Sequence, residues 1–155
     1  MKYWVRAAVI AAVYVILIFA FRPLSFGPVQ FRVAEALTVL PIIYPEAIPG
    51  LFVGVLLGNI LGEVGVWDVI GGSLATLIAA YLTYRYRNSW FAYASPIVCN
   101  ALLVSLYLHV IVDQSYWLVA LTIALGEAGV VLLLGIPLIK YLQRIMHNDI
   151  EGKRL

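Results

Sequence analysis

Residues 116–142 read YWLVALTIALGEAGVVLLLGIPLIKYL. The run exceeds the roughly 18 apolar residues that mark a membrane-spanning helix. Inside it sits one carboxylate, Glu127, with no basic residue within a helical turn. Similar runs recur along a chain that is 64% hydrophobic and only 12% charged, with a mean hydropathy of +1.00. These features predict an all-α membrane protein, with residues 1–155 forming a single domain of six transmembrane helices.

Spans are expected near residues 4–21, 33–44, 47–63, 69–85, 91–112 and 116–142. The first run, Val5 to Phe21, follows Lys2 and Arg6 as a secretory signal would. No small-residue cleavage site precedes a soluble domain, however, so it reads as a first span. The second covers only about 18 Å at helical rise and is expected to belong to an irregular segment that begins in the preceding loop. The single cysteine, Cys99, excludes an internal disulfide and a cysteine-rich metal cluster.

Placing both termini on one side gathers Lys2, Arg6, Arg85, Arg87, Lys140, Arg144, Lys153 and Arg154 there, against Arg22 and Arg32 opposite. The positive-inside rule makes the first side the cytoplasm. Trp4 and Trp90 then mark the inner interface, and Trp67 and Trp117 the outer. Gly50, Gly54, Gly58 and Gly62 form a smooth stripe on span 3, while Gly71, Ala75 and Ala79, with Gly72, Thr76 and Ala80, do the same on span 4. Ala7, Ala8, Ala11 and Ala12 give span 1 a third small-residue face. Ordinary helix packing accounts for stripes of this kind.

Polar groups inside spans are costly and need a reason. Counting from the outer ends of the spans, Asn59 lies about 13 Å from Asp68, Glu127 about 16 Å from Tyr116 and Asn100 about 20 Å from Asp113. Glu35 lies near the outer face. All four can converge on a cavity open to the outside. Arg32 and Glu35 are i, i+3 neighbours that either neutralise each other or serve a site. Asn59 and Asn100 read as interhelical hydrogen-bonding glue or as ligand-orienting amides. Glu127 has no partner on its own helix and needs one elsewhere, or a cationic ligand.

Glu46, at the start of span 3, suits the helix dipole and reads as structural. Asp68, Asp113 and Glu63 read as loop or cap residues, with Asp68 also placed as a rim group. Tyr107, Tyr116 and Trp67 can stack on a flat ligand, although interface anchoring explains Trp67 and Tyr116 equally. His109 lacks companions at metal-ligand spacing. There is no G-x-x-x-x-G-K-[ST] phosphate loop, no Ser/His/Asp set and no His-Glu-x-x-His motif. The chain is therefore not expected to be an enzyme, and energy for any uptake must come from an ion gradient or another subunit.

The stretch Ser25-Phe26-Gly27-Pro28-Val29-Gln30-Phe31-Arg32-Val33-Ala34-Glu35-Ala36-Leu37 resembles the QueT family of queuosine-precursor transporters, which are substrate-binding (S) components of energy-coupling factor (ECF) transporters. The likeness continues through Gly58-Asn59, Asp68-Val69-Ile70-Gly71-Gly72-Ser73-Leu74-Ala75-Thr76-Leu77, Asn100-Ala101 and Leu125-Gly126-Glu127, in order and over nearly the whole chain.

The resemblance implies a six-helix S component in a prokaryotic cytoplasmic membrane, with both termini cytoplasmic and substrate bound near the outer face. Its partners would be a membrane coupling subunit and two ATP-binding cassette ATPases. ATP would be used by those ATPases, with no cofactor or metal in this chain and no nucleic-acid partner. S components tend to present an Ala-x-x-x-Ala face on helix 1 to the coupling subunit, which Ala7, Ala8, Ala11 and Ala12 match. The implied ligand is prequeuosine, an aminomethyl-deazaguanine. Its ring edge offers N–H donors to a carboxylate and a carbonyl to an amide, and its ammonium seeks a second carboxylate.

On this reading Glu35 and Glu127 divide the guanine edge and the ammonium, Asn59 and Asn100 orient the ring, and Gln30 and Arg32 shape a lid. Trp67, Asp68 and Tyr107 complete the expected site. Which carboxylate takes which group is open. The rival readings are an S component for another flat purine-like or vitamin precursor, a non-transporting membrane scaffold or small channel, and a solitary ion-coupled carrier.

Overall fold

The computed structural model describes residues 2–25, 31–62 and 65–152. Gln30, Glu63, Lys153 and Arg154, all named above, lie outside the described residues. Helix α1 spans Lys2–Ala20 and is followed by the single turn α2, Arg22–Ser25. A 3-10 helix then covers Val33–Ile42, and α3 covers Ala47–Leu61. A π-helical turn, Asp68–Gly72, leads into α4, Ser73–Arg85. Helix α5, Phe91–Cys99, passes through a second π turn, Asn100–Val104, into α6, Ser105–Ile111. Helix α7, Tyr116–Val130, passes through a third, Val131–Gly135, into α8, Ile136–Gly152.

Among the described residues the chain is thus all-α, with helical segments at each of the six expected places. Lys2–Ala20, Phe91–Ile111 and Tyr116–Asn148 are long and apolar enough to cross a membrane. Val33–Ile42 and Ala47–Leu61 are shorter apolar helices. At about 2.0 Å of rise per residue the 3-10 helix covers about 20 Å. It is apolar on every side apart from Glu35 and Thr38, and Ala34 through Pro41 are all buried. A helix without a polar face belongs inside a bundle, and this one runs through its centre. Trp4, Trp67, Trp90 and Trp117 all point outward, each more than 60% exposed (69%, 63%, 68% and 73%), as interfacial anchors do.

The glycine stripe of α3 faces α1. A Cβ at Gly50 would stand 2.7 Å from the Ala7 carbonyl oxygen, and one at Gly54 would stand 2.9 Å from Tyr14 Cβ. Any side chain there would push the helices apart. Ala7 and Ala11 are accordingly buried, while Ala8 and Ala12 face outward. The alanine face expected to be free for docking is half taken up by packing within the bundle. Ala7, Ala8 and Ala11 still line a shallow groove of about 200 Å³ beside Pro49, Gly50 and Val53.

At the same end of α1, Arg6 Nη1 donates to Glu46 Oε1 at 2.9 Å, and its guanidinium lies 5.3 Å from the centroid of the Tyr44 ring. Glu46 is thus structural, as its sequence position suggests, but through an ion pair to another helix. Pro96 lacks an N–H and so cannot bond the Ala92 carbonyl as a residue four positions on normally would. The freed oxygen accepts from Thr83 Oγ1 and Ser95 Oγ, both at 3.2 Å, which ties α4 to α5.

Candidate functional site

The buried polar residues meet between the helices. Arg32, Glu35, Asp68, Asn100, Tyr107 and Glu127 line one small cavity, with Gly72, Thr76, Val104 and Ile123 completing its wall. The backbone brings them together through irregularities. Arg32 is extended (φ −82°, ψ 96°) and immediately precedes the 3-10 helix that carries Glu35 in its first turn. Asp68 and Asn100 each open a π turn, and Glu127 lies one turn before the third. Such turns inside α-helices are frequent at functional sites because they leave backbone groups unpaired and rotate the side chains beyond them. Two are patched alike, Ser73 Oγ donating to the Val69 carbonyl and Ser105 Oγ to the Ala101 carbonyl, both at 2.6 Å.

The polar groups form one chain of hydrogen bonds and one separate pair. In the first, Arg32 Nη2 donates to Asn59 Oδ1 at 2.7 Å, and Asn59 Nδ2 donates to the Asp68 carbonyl at 2.8 Å. Tyr107 OH then donates to Asp68 Oδ1 at 3.1 Å. In the second, Asn100 Nδ2 donates to Glu127 Oε1 at 2.7 Å. Glu35 is held separately, Oε1 accepting from Tyr14 OH at 2.5 Å. Arg32 and Glu35 do not form an ion pair with each other. The i, i+3 relation holds only within a helix, and Arg32 stands outside the one that carries Glu35.

Among the described residues three buried side-chain atoms are left without a partner: Arg32 Nε, Glu35 Oε2 and Asn100 Oδ1. One is a donor and two are acceptors, all on residues that line the cavity. An unmade hydrogen bond to a buried polar group costs about 1–3 kcal/mol. Three at one place mark a surface shaped for something else. The cavity itself holds only about 30 Å³, room for a water or two, so any larger ligand enters only as the walls separate. Three carboxylates and one guanidinium face it, a balance that favours a cationic guest.

Of the site residues expected from the sequence, Arg32, Glu35, Asp68, Asn100, Tyr107 and Glu127 converge on this cavity. Asn59 acts from behind it, holding Arg32 and the start of the Asp68 turn. Trp67 does not join them: it is exposed and absent from the wall. Tyr14 joins the site without any signal in the sequence. It lies in an apolar first span with no polar neighbour, yet it is fully buried and its hydroxyl needs a partner. Gly72, by its spacing a packing residue, also shapes the site. A Cβ there would stand 3.2 Å from Asn59 Nδ2 and 3.5 Å from Tyr107 OH, so glycine keeps both polar groups in place. No cluster of metal-ligating residues occurs among the described residues.

Comparison with known proteins agrees with the sequence motifs. The QueT transporter family profile matches residues 4–144. The queuosine precursor transporter QueT of Lactococcus lactis subsp. cremoris (strain MG1363) is 30% identical over 139 residues, which cover 79% of this chain and 82% of that protein. No solved structure matches the chain.

Proposed function

Because this chain belongs to the QueT transporter family, we propose that it is the substrate-binding S component of an ECF-type, ATP-driven importer of a queuosine precursor, and that its ligand is an aminomethyl-deazaguanine. The observation that carries the choice of ligand is the set of unpartnered atoms around the cavity. A guanine-type edge presents two N–H donor groups beside a carbonyl acceptor. Glu35 Oε2 and Asn100 Oδ1 take the donors, and Arg32 Nε gives a hydrogen bond to the carbonyl. Glu127, whose Oε1 is held by Asn100, is left to meet the ammonium with its other oxygen. Tyr107, Val104 and Ile123 supply the apolar walls that a flat ring requires.

Both termini face the cytoplasm on this reading, and the cavity opens toward the outside of a prokaryotic plasma membrane. Docking to a membrane coupling subunit falls to the outward face of α1, with Ala8 and Ala12 in contact and Ala7 and Ala11 forming the floor. Two ABC ATPases on the coupling subunit supply the energy, and no cofactor is bound by this chain. The role assigned to Gln30 in a lid belongs to the same proposal. A non-transporting scaffold is disfavoured because packing glue has no use for three unmade hydrogen bonds.

The test is uptake. Cells expressing the chain with a coupling module should accumulate labelled aminomethyl-deazaguanine in an ATP-dependent way, and Glu127→Gln should abolish it. Equal uptake without the coupling module would remove the ECF assignment. Thermal-shift screening that favours a different flat precursor would replace the ligand.

A further inference from the structure

The polar cavity is far smaller than the ligand proposed for it, so part of its wall must move. Its deep wall, Glu35, Thr76, Asn100, Ile123 and Glu127, is buried, whereas Arg32, Asp68, Val104 and Tyr107 are partly exposed and form the rim. Tyr107 lies six residues before Asp113, about 9 Å from the expected outer end of its span, against about 20 Å for Asn100. On the proposed topology the rim therefore faces outward.

Two side-chain hydrogen bonds hold rim residues, and they differ in strength. Arg32 Nη2 is anchored at 2.7 Å to Asn59, a fully buried amide behind the wall. Tyr107 OH reaches Asp68 Oδ1 at 3.1 Å, and both of its side chains are partly exposed. A hydroxyl bonded to a carboxylate normally lies at about 2.5–2.7 Å, so this bond is stretched and is the weaker tie. It joins α6 to the first π turn, across the rim. Beneath the ring lie two glycines: a Cβ at Gly71 would stand 2.7 Å from Tyr107 Cε1, and one at Gly72 would stand 3.5 Å from its hydroxyl. Neither glycine has a side chain to interlock with the ring, which can lift without dragging a neighbour out of its packing. A ring that served only as an apolar wall would have no use for the hydroxyl.

We propose that Tyr107 is the gate of this site: latched to Asp68 over Gly71 and Gly72 it closes the empty cavity, and release of that one hydrogen bond lets the ring swing outward to admit the ligand. The gate rests on the reading of the cavity as the ligand site, but its opening is measurable with no ligand present. Thr76, on the deep wall and 2% exposed, is replaced in a Thr76→Cys/Cys99→Ser chain, and modification by a methanethiosulfonate ethyltrimethylammonium reagent is timed on the purified full chain in lipid nanodiscs. The reagent is much larger than the cavity, so the rate follows the fraction of open molecules. Tyr107→Phe should raise that rate about fivefold, the worth of one lost hydrogen bond. Asp68→Ala, whose backbone carbonyl still holds Asn59, should do the same, and the double variant should go no further. Gly71→Ala, whose Cβ displaces the ring, should also raise it. Thermal unfolding of each variant separates an opened rim from a loosened fold, and Tyr107→Phe, which removes a single partly exposed hydroxyl, is the deciding variant. An unchanged rate in Tyr107→Phe, or additive gains in the double variant, overturns the gate. Aminomethyl-deazaguanine should protect the Thr76→Cys site from the reagent; no protection there counts against the ligand reading, while the labelling rates decide the gate by themselves.

Discussion

Two buried carboxylates tie the chain between α1 and α3 back to the first helix, and they do it in opposite ways. Glu46, 4% exposed, meets a full positive charge from Arg6 and has no buried oxygen left over. Glu35, 2% exposed, accepts from the neutral phenol of Tyr14 and keeps Oε2 unpartnered. Burial is nearly the same in the two, so burial does not separate the ion-paired acid from the one proposed to bind ligand. Hydrogen-bonding capacity left unused does. Glu46 is closed by its partner, whereas Glu35 is held by one oxygen and left open at the other.

The sharpest way to break this comparison is Glu35→Gln. A hydrogen bond to a charged group contributes about 1.5–3 kcal/mol, so affinity for an aminomethyl-deazaguanine should fall by about tenfold to more than a hundredfold, measured by equilibrium binding to purified protein. Near-wild-type affinity would return Glu35 to the structural class. Next in size, Gly54→Leu should destabilise the bundle by about 1–3 kcal/mol, since its side chain must displace Tyr14 and the α1 backbone. Thermal unfolding reads the loss, and an unchanged transition would mean that α1 and α3 do not pack through the glycine stripe.

Tyr14→Phe removes the hydroxyl that orients Glu35. Affinity should drop about fivefold, corresponding to about 1 kcal/mol, and the loss should vanish when Glu35 is already glutamine. Independent, additive losses would show that Tyr14 does not act through Glu35. Glu46→Gln should leave affinity unchanged and shift thermal unfolding only slightly, because Arg6 is more than half exposed and its pair with Glu46 is well screened. The smallest effect belongs to Trp67→Leu, for which affinity should stay within about twofold of wild type. A larger loss would bring Trp67 back to the site.

Much of this site is legible in the sequence because a membrane amplifies polar signals. Glu127, Asn100 and Asn59 stand out in apolar runs by their cost alone, and their depth follows from counting residues at a fixed rise. Tyr14 is not legible, since a lone tyrosine in an apolar helix carries no mark of whether its hydroxyl is buried or at the interface. The pairing of Arg32 misleads for a different reason. Spacing suggests Glu35, but the chain is extended at Arg32 and turns into a 3-10 helix only afterwards, which frees the guanidinium to reach Asn59. The alanine face is visible as four small residues, whereas its division into a packed half and an open half depends on which side meets the α3 glycines.

The sequence by itself determined that the chain is an all-α membrane protein, where its six helical segments lie, and which polar residues needed a reason to be there. These follow from transfer free energies and helical geometry, both of which act locally. Only the tertiary structure decided which polar atoms satisfy one another and which are left over. Partner choice depends on helices far apart in the chain meeting at π turns and a 3-10 segment, and a hydrogen bond depends on tenths of an ångström that no spacing rule carries.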